Sequence, residues 1–154
     1  MNCITRFRGV NKFLSNFYEA PFVYEGITYP TVEHAYQERK TTDPDRMALI
    51  RSAKSAWEAA VIGRDKSTVL RLDWLDPDTK RNVMEPLVFA KFQQNPKTAV
   101  RLLSTGDAFL MEGNYWHDNY FGVCSCKACH EKGEGLNHLG RILMKVRAAL
   151  RGEE

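Results

Sequence analysis

Long apolar runs are missing from this 154-residue chain, and no stretch approaches the ~20 residues that a helix needs to cross a bilayer. The opening residues Met1-Asn-Cys-Ile-Thr-Arg-Phe-Arg8 carry no hydrophobic signal region, so a non-secreted protein is expected. Phosphate-loop and dinucleotide glycine fingerprints are absent, as are a nucleophile elbow and an HExxH helix. ATP hydrolysis, Rossmann-type redox chemistry and serine hydrolysis therefore have no support. No block of one charge occurs: 22 Lys and Arg stand against 19 Asp and Glu, a net charge of +3. That balance suits phosphate-bearing ligands but lacks the basic tail of a dedicated nucleic-acid binder. Cysteine is scarce, and three of the four lie together at Cys124, Cys126 and Cys129, too close for a spread disulfide framework. A reducing, cytoplasmic setting is expected.

What is present reads as one ordinary globular domain over residues 1–154, without repeats, low-complexity stretches or linkers. A chain of this length buries roughly 68–70% of its unfolded surface and needs no staple simply to fold. The sequence Phe22-Val-Tyr-Glu-Gly-Ile-Thr-Tyr29 predicts a hairpin turning at Glu25-Gly26. Pro30 stops it, and Thr31 can cap a helix running to about Thr41. Residues 45–64 predict two helical pieces, with Met47, Ile50 and Ala53 on one stripe. The second piece is opened by the capping box Ser55-Ala-Trp-Glu58 and ended by Gly63. Asp76-Pro77 predicts a helix start, and Pro86 a kink or a division into two shorter helices. A short helix over 97–104, a strand over 108–115 and a final helix striped by Leu136, Leu139, Leu143, Val146 and Leu150 complete the reading. The fold class is α+β, mostly helical, with a small N-terminal β-rich segment.

Four groups of residues can carry chemistry. On a helix, Glu33, Tyr36, Gln37 and Lys40 share one face at i, i+3, i+4 and i+7, placing a carboxylate, an aromatic ring and an amine where a plain core helix would carry Leu or Val. Gly113-Asn-Tyr-Trp-His-Asp-Asn-Tyr-Phe-Gly122 is a poor strand and no helix. Its rings, Trp116 and Phe121 among them, can stack on a planar base while His117 or Asp118 handles protons. In Phe13-Leu-Ser-Asn-Phe-Tyr18, Asn16 can read a base edge or a ribose hydroxyl and Phe17 can stack. Cys124, Cys126, Cys129 and His130 have the softness for tetrahedral zinc, although one knuckle with a CxC step is more often the pattern of reduced structural thiols.

These segments together resemble the YbiA-like, or NADAR, family of N-glycosidases. The matching stretches run in order along nearly the whole chain: Phe13-Leu-Ser-Asn-Phe-Tyr18 with Pro21-Phe22, Tyr29-Pro-Thr-Val-Glu-His-Ala-Tyr-Gln37 with Lys40, Gly63-Arg64 and Asp73-Trp74. Ala90-Lys-Phe-Gln-Gln-Asn-Pro96, Leu102-Leu-Ser-Thr-Gly106, Trp116-His-Asp-Asn-Tyr-Phe-Gly122 and Gly135-Leu-Asn-His-Leu-Gly140 follow, the last with Leu143-Met144 and Val146-Arg147. The resemblance implies cleavage of an N-glycosidic bond between a phosphorylated ribose and an exocyclic amine. Two substrate types go with it: ribosylaminopyrimidine phosphates of the riboflavin pathway, and ADP-ribose carried on guanine in nucleic acid.

By the same resemblance Glu33, Trp74 and Asp118 are central positions. One of the two carboxylates would activate water and stabilise an oxocarbenium-like transition state, and the other would protonate or hold the departing amine. Trp74 would stack on the heterocycle, with Asn16, Phe17, Tyr36 and Gln37 completing the pocket. Arg6, Arg8 and Arg64 are phosphate partners on charge grounds. Lys40 and Lys91 open a different route, in which a lysine exchanges onto a ring-opened glycosylamine as a Schiff base. No cofactor is expected for the hydrolysis, no metal at the reacting site and no membrane partner. Phe121 stands where some family members have Trp, and residues 124–135 form an insert found in only part of the family, a substrate-selecting flap or a metal loop. The competing reading is a non-catalytic module that binds ADP-ribose or nucleic acid.

Overall fold

The computed structural model describes residues 2–153. Its elements are β1 (Cys3–Ile4), a 3-10 turn (Gly9–Leu14), β2 (Phe22–Tyr24), β3 (Ile27–Tyr29), α1 (Val32–Glu38), α2 (Pro44–Arg51) and α3 (Ala56–Arg64). These are followed by α4 (Thr79–Gln94), α5 (Pro96–Ser104), β4 (Phe109–Leu110), β5 (Gly113–Asn114), β6 (Val123–Cys124), α6 (Lys127–His130) and α7 (His138–Leu150). The architecture is α+β and mostly helical, as expected. Among the described residues, no helix is long and apolar enough to cross a membrane. The residues gather into two compact units, one over 16–96 and the other over 2–15 with 97–153.

In the unit over 16–96, β2 and β3 pair antiparallel, with Phe22 opposite Tyr29. Glu25 and Gly26 both have positive φ, 50° and 77°, the pattern of a type I′ turn. Thr31 then caps α1 by accepting from the His34 amide at 3.3 Å. The His34 ring is structural: Nε2 donates to the Ala53 carbonyl at 2.9 Å, which leaves Nδ1 to accept from the Thr31 hydroxyl at 2.7 Å. α1 is shorter than expected, ending at Glu38, and Arg39 to Thr41 continue it only as turns. Every residue of α1 is buried, and it packs against α2, α3 and α4. Buried Glu38 pairs with Arg51 of α2.

Three expectations fail here for local reasons. Gly63 does not end α3, which continues through Arg64; the glycine is there for close approach to α1. The Asp76-Pro77 pair does not start α4, because residues 73–79 form successive turns and the helix begins at Thr79. Of the two outcomes expected at Pro86, a kink or a division, the division does not occur, since α4 runs unbroken through the proline. The carbonyl it orphans belongs to Asn82, an exposed position that water can satisfy, while buried Met84, Leu87, Val88 and Phe92 hold the helix on both sides of it. On the stripe of α2 only Ile50 is buried. The Ser55 half of the capping box forms, with the Glu58 amide donating to the Ser55 hydroxyl at 3.1 Å, while the Glu58 carboxylate accepts from the amide of Lys54, one residue before the cap, at 2.6 Å.

In the other unit, β1 pairs parallel with β4, and α7 packs on β4 through Leu139, Ile142, Leu143 and Val146. The expected strand over 108–115 is two short strands: β5 pairs parallel with β6 instead of extending β4. Gly113 marks the break, since a Cβ there would lie 2.3 Å from the Thr5 carbonyl oxygen. Leu136 lies outside α7 and is half exposed; Asn137, at φ 52°, turns the chain into the helix. Buried Arg147 ties α7 to the preceding turn, donating to Thr105 Oγ1 at 2.8 Å and the Ala108 carbonyl at 2.9 Å.

Candidate functional site

The predicted polar face of α1 exists, and it is buried rather than solvated. The Thr31 cap places Glu33 in the first helical turn, where the positive end of the helix favours a carboxylate. The Glu33 amide donates to the Asn16 carbonyl at 3.1 Å, and Gln37 Nε2 donates to Glu33 Oε1 at 2.6 Å. Glu33 is only 6% exposed, so the acid is held in one orientation with little water around it. One turn on, the Lys40 ammonium lies 5.7 Å from the centre of the Tyr36 ring, which is 5.4 Å from the ring of Trp74. Burial lowers the pKa of Lys40 to about 8; Glu33 opposes that shift, while Arg64 and Lys80 add to it by repulsion. A buried carboxylate, an amine poised near neutral pH, two further cations and an aromatic pair thus belong to one cluster.

Gln37 is fixed by its packing. Its Oε1 is buried without a hydrogen-bond partner and faces the bare Cα of Gly63. A Cβ at Gly63 would stand 2.1 Å from that oxygen and 2.9 Å from Cδ. Gly63→Ala is therefore expected to cost about 1–3 kcal/mol of stability by overpacking. It should also reduce turnover, because Gln37 must leave Glu33 to make room. Urea unfolding and steady-state rates on one preparation check both effects; unchanged values in both would mean that Gln37 does not orient the acid.

Asn16, expected to read substrate, contributes its carbonyl to α1 and its Nδ2 to Met84 Sδ at 3.3 Å. Phe17 is 40% exposed, a ring available for stacking. Lys91 is enclosed: 1% exposed, with Nζ 5.0 Å from the Phe92 ring centre and 5.6 Å from that of Tyr18. Burial lowers its pKa to about 7.

The aromatic loop lies in the other unit. Trp116 and Tyr115 are both more than half exposed, with the guanidinium of Arg8 5.7 Å from one ring centre and that of Arg6 5.3 Å from the other. Phe121 stands edge-on to Tyr120 at 4.8 Å. Asp118 holds the loop: Oδ1 accepts from the amides of Tyr120 at 3.0 Å and Phe121 at 2.9 Å, and Asn114 bonds both its amide and its carbonyl. His117, expected to touch substrate, stands among the cysteines, where His117, Cys124, Cys126 and Cys129 bring their ligand atoms within 4.8 Å of one another and could hold a metal ion. The imidazole expected there was that of His130, which is exposed beside Cys129 and takes no part. Neighbouring helical positions diverge by about 100°, so His130 cannot follow Cys129 into the cluster.

Three participants escaped the sequence reading: Lys80 near Lys40, Tyr18 over Lys91, and His117 as a potential ligand. Lys80 lies in no motif, while Tyr18 and His117 lie in motifs whose spacing does not give them these roles; each arrives by tertiary packing.

The family model for the NADAR domain matches residues 6–151. The chain belongs to the NADAR family. Among NADAR relatives, the N-glycosidase YbiA of Escherichia coli is 37% identical over 136 residues, covering 88% of this chain and 79% of that protein. An N-glycosidase of Nostoc punctiforme is 36% identical over 140 residues, covering 89% and 84% respectively. A riboflavin biosynthesis protein of Vibrio vulnificus is 36% identical over 138 residues, which span 90% of this chain but 35% of that longer protein. The NMR structure of E. coli YbiA matches with a TM-score of 0.83 at 34% identity, over 97% of this chain and 85% of the other. As a NADAR protein the chain is an enzyme, a hydrolase of N-glycosyl bonds.

Proposed function

We propose that the chain hydrolyses the bond between C1 of a phosphorylated ribose and an exocyclic amine of a heterocycle, with Glu33 as the acting carboxylate. The observation that carries this reading is the buried Glu33, oriented by Gln37 at 2.6 Å and electrostatically coupled to Lys40. Glu33 activates water and faces the positive charge that develops on C1 as the C–N bond breaks. Lys40, protonated below about pH 8, gives the departing amine its proton. Arg64 and Lys80 supply positive charge for the phosphate, and Trp74 with Tyr36 forms an aromatic wall for the heterocycle. Asp118 shapes the aromatic loop through Oδ1, which accepts from the Tyr120 and Phe121 amides. The reaction so described uses side chains alone, without a cofactor, and a reducing cytoplasm fits the free thiols.

Ribosylaminopyrimidine phosphates are the first substrate class, because relatives named for riboflavin biosynthesis share nearly the whole of this chain. ADP-ribosylated guanine in nucleic acid is the second. It is favoured by the exposed Tyr115 and Trp116 rings with Arg6 and Arg8 over them, a pairing suited to stacked bases and phosphates. Mass spectrometry of the products from both substrates tests the reading. Ribose 5-phosphate from the first, or free ADP-ribose from the second, supports it. No release from either, with ligand still bound, means a binding module.

Lys40 has a second reading, favoured by its lowered pKa. As a neutral amine it would add to C1 of the ring-opened imine and expel the heterocycle amine. Water would then release the sugar aldehyde and restore the lysine. The two roles have opposite pH signs. As an acid Lys40 must be protonated, so the rate falls above about pH 8; as a nucleophile it must be neutral, so the rate rises toward pH 8. We expect the falling limb, and no protein–sugar adduct when borohydride is added during turnover. A trapped adduct on Lys40 would assign the covalent route.

A further inference from the structure

The geometry around His117 points to a tetrahedral structural zinc site built from His117 Nδ1 and the thiolates of Cys124, Cys126 and Cys129, an inference independent of the hydrolytic reading. His117 Nδ1 lies 3.3 Å from Cys126 Sγ, 3.4 Å from Cys129 Sγ and 3.9 Å from Cys124 Sγ. With Zn–N near ~2.05 Å and Zn–S near ~2.3 Å, a regular tetrahedron has N···S edges of about 3.5–3.6 Å. The three measured edges bracket that value, and all four donor atoms lie within 4.8 Å of one another. Three soft thiolates and one imidazole select zinc over hard cations, and four protein ligands leave no open position for chemistry.

The surrounding chain gives the site a purpose. From Ser125 to Leu136 only Cys129 is buried. α6 has four residues, far below the length at which a helix stands alone in water. No hydrophobic contact of its own can fix this segment, whereas a metal joining Cys126 and Cys129 to Cys124 at the end of β6 would. The fourth ligand sits across the loop at His117, held at φ 67°, a left-handed conformation that a non-glycine residue rarely adopts. His117 lies between Trp116 and Asp118, so a zinc ion there would lock the register of the aromatic loop. The insert thereby acts as a clamp on the loop rather than as a free flap.

Metal analysis of the full chain, purified under reductant and dialysed after zinc addition, tests the proposal. About one tightly held zinc per chain is expected, and thiol titration should then find one fast cysteine, the exposed Cys3. All four should react after chelation. Substitution by cobalt should give the intense bands of a tetrahedral thiolate site. His130→Ala should keep the metal and Cys126→Ser should lose it. Should Cys126→Ser fail to fold, the wild-type stoichiometry, cobalt spectrum and thiol count decide. Four fast thiols with zinc below a tenth per chain would overturn the site, as would iron in its place or loss of the metal in His130→Ala.

Discussion

Glu33→Gln should lower kcat by about 10²–10⁴-fold, the usual contribution of a positioned acid or base, while ribose 5-phosphate still binds. The substitution keeps the volume of a side chain that is 6% exposed, so the fold should tolerate it. What it removes is the negative charge that the oxocarbenium-like transition state requires, together with the acceptor that polarises water. A second effect follows from linkage. Glu33 is the group that holds the Lys40 pKa up against burial and against Arg64 and Lys80. Without it that pKa falls further, so the alkaline limb of any residual activity should move below about pH 8. Rates across pH with calorimetric binding of ribose 5-phosphate check both parts. Near wild-type kcat in Glu33→Gln would remove the carboxylate from the chemistry.

The second large effect is on stability, at Lys91. The amine is 1% exposed, and burial lowers its pKa from 10.5 to about 7. In the unfolded chain the lysine titrates at its ordinary value. Between about pH 7 and 10.5 the unfolded state therefore binds more protons than the folded state, and this group makes stability rise with pH. Below about pH 7 both states are protonated, and folding buries the charge. Lys91→Met has no such dependence. Relative to wild type, the variant should be most favoured in acid and lose that advantage as pH rises. From pH 6 to pH 9 the difference in unfolding free energy should shift by roughly 3 kcal/mol, two pH units above the folded pKa at about 1.4 kcal/mol each. Urea denaturation at the two values measures it. A difference that stays constant would place the Lys91 pKa near that of an exposed lysine.

Legibility in the sequence followed the range of the interactions. The hairpin was readable because Glu25-Gly26 sets its own backbone, and the starts of α1 and α3 because Thr31 and Ser55 cap through bonds three residues away. The α1 cluster was readable for the same reason: helical spacing alone puts Glu33, Tyr36, Gln37 and Lys40 on one face, and Gln37 does reach Glu33. Its burial was not, since that depends on α2, α3 and α4 closing around a helix with few apolar residues. The division expected as one outcome at Pro86 did not occur, because buried residues on both sides hold α4 together despite the lost hydrogen bond. The cysteine cluster was half readable. Three thiols in six residues are visible, but the ligand that closes the set depends on the left-handed turn at His117, which no local pattern announces.

The central claim, that the Glu33 cluster directs water onto the anomeric carbon, is tested most directly by single turnover in water labelled with heavy oxygen. Wild type, Glu33→Gln and Asp118→Asn would be compared on ribosylaminopyrimidine phosphate by mass spectrometry. The account predicts labelled ribose 5-phosphate and an intact amine on the heterocycle from wild type, the same products from Asp118→Asn if the loop still folds, and unreacted bound substrate from Glu33→Gln. Full release by Glu33→Gln beside a dead but folded Asp118→Asn would contradict it and move the chemistry to the aromatic loop.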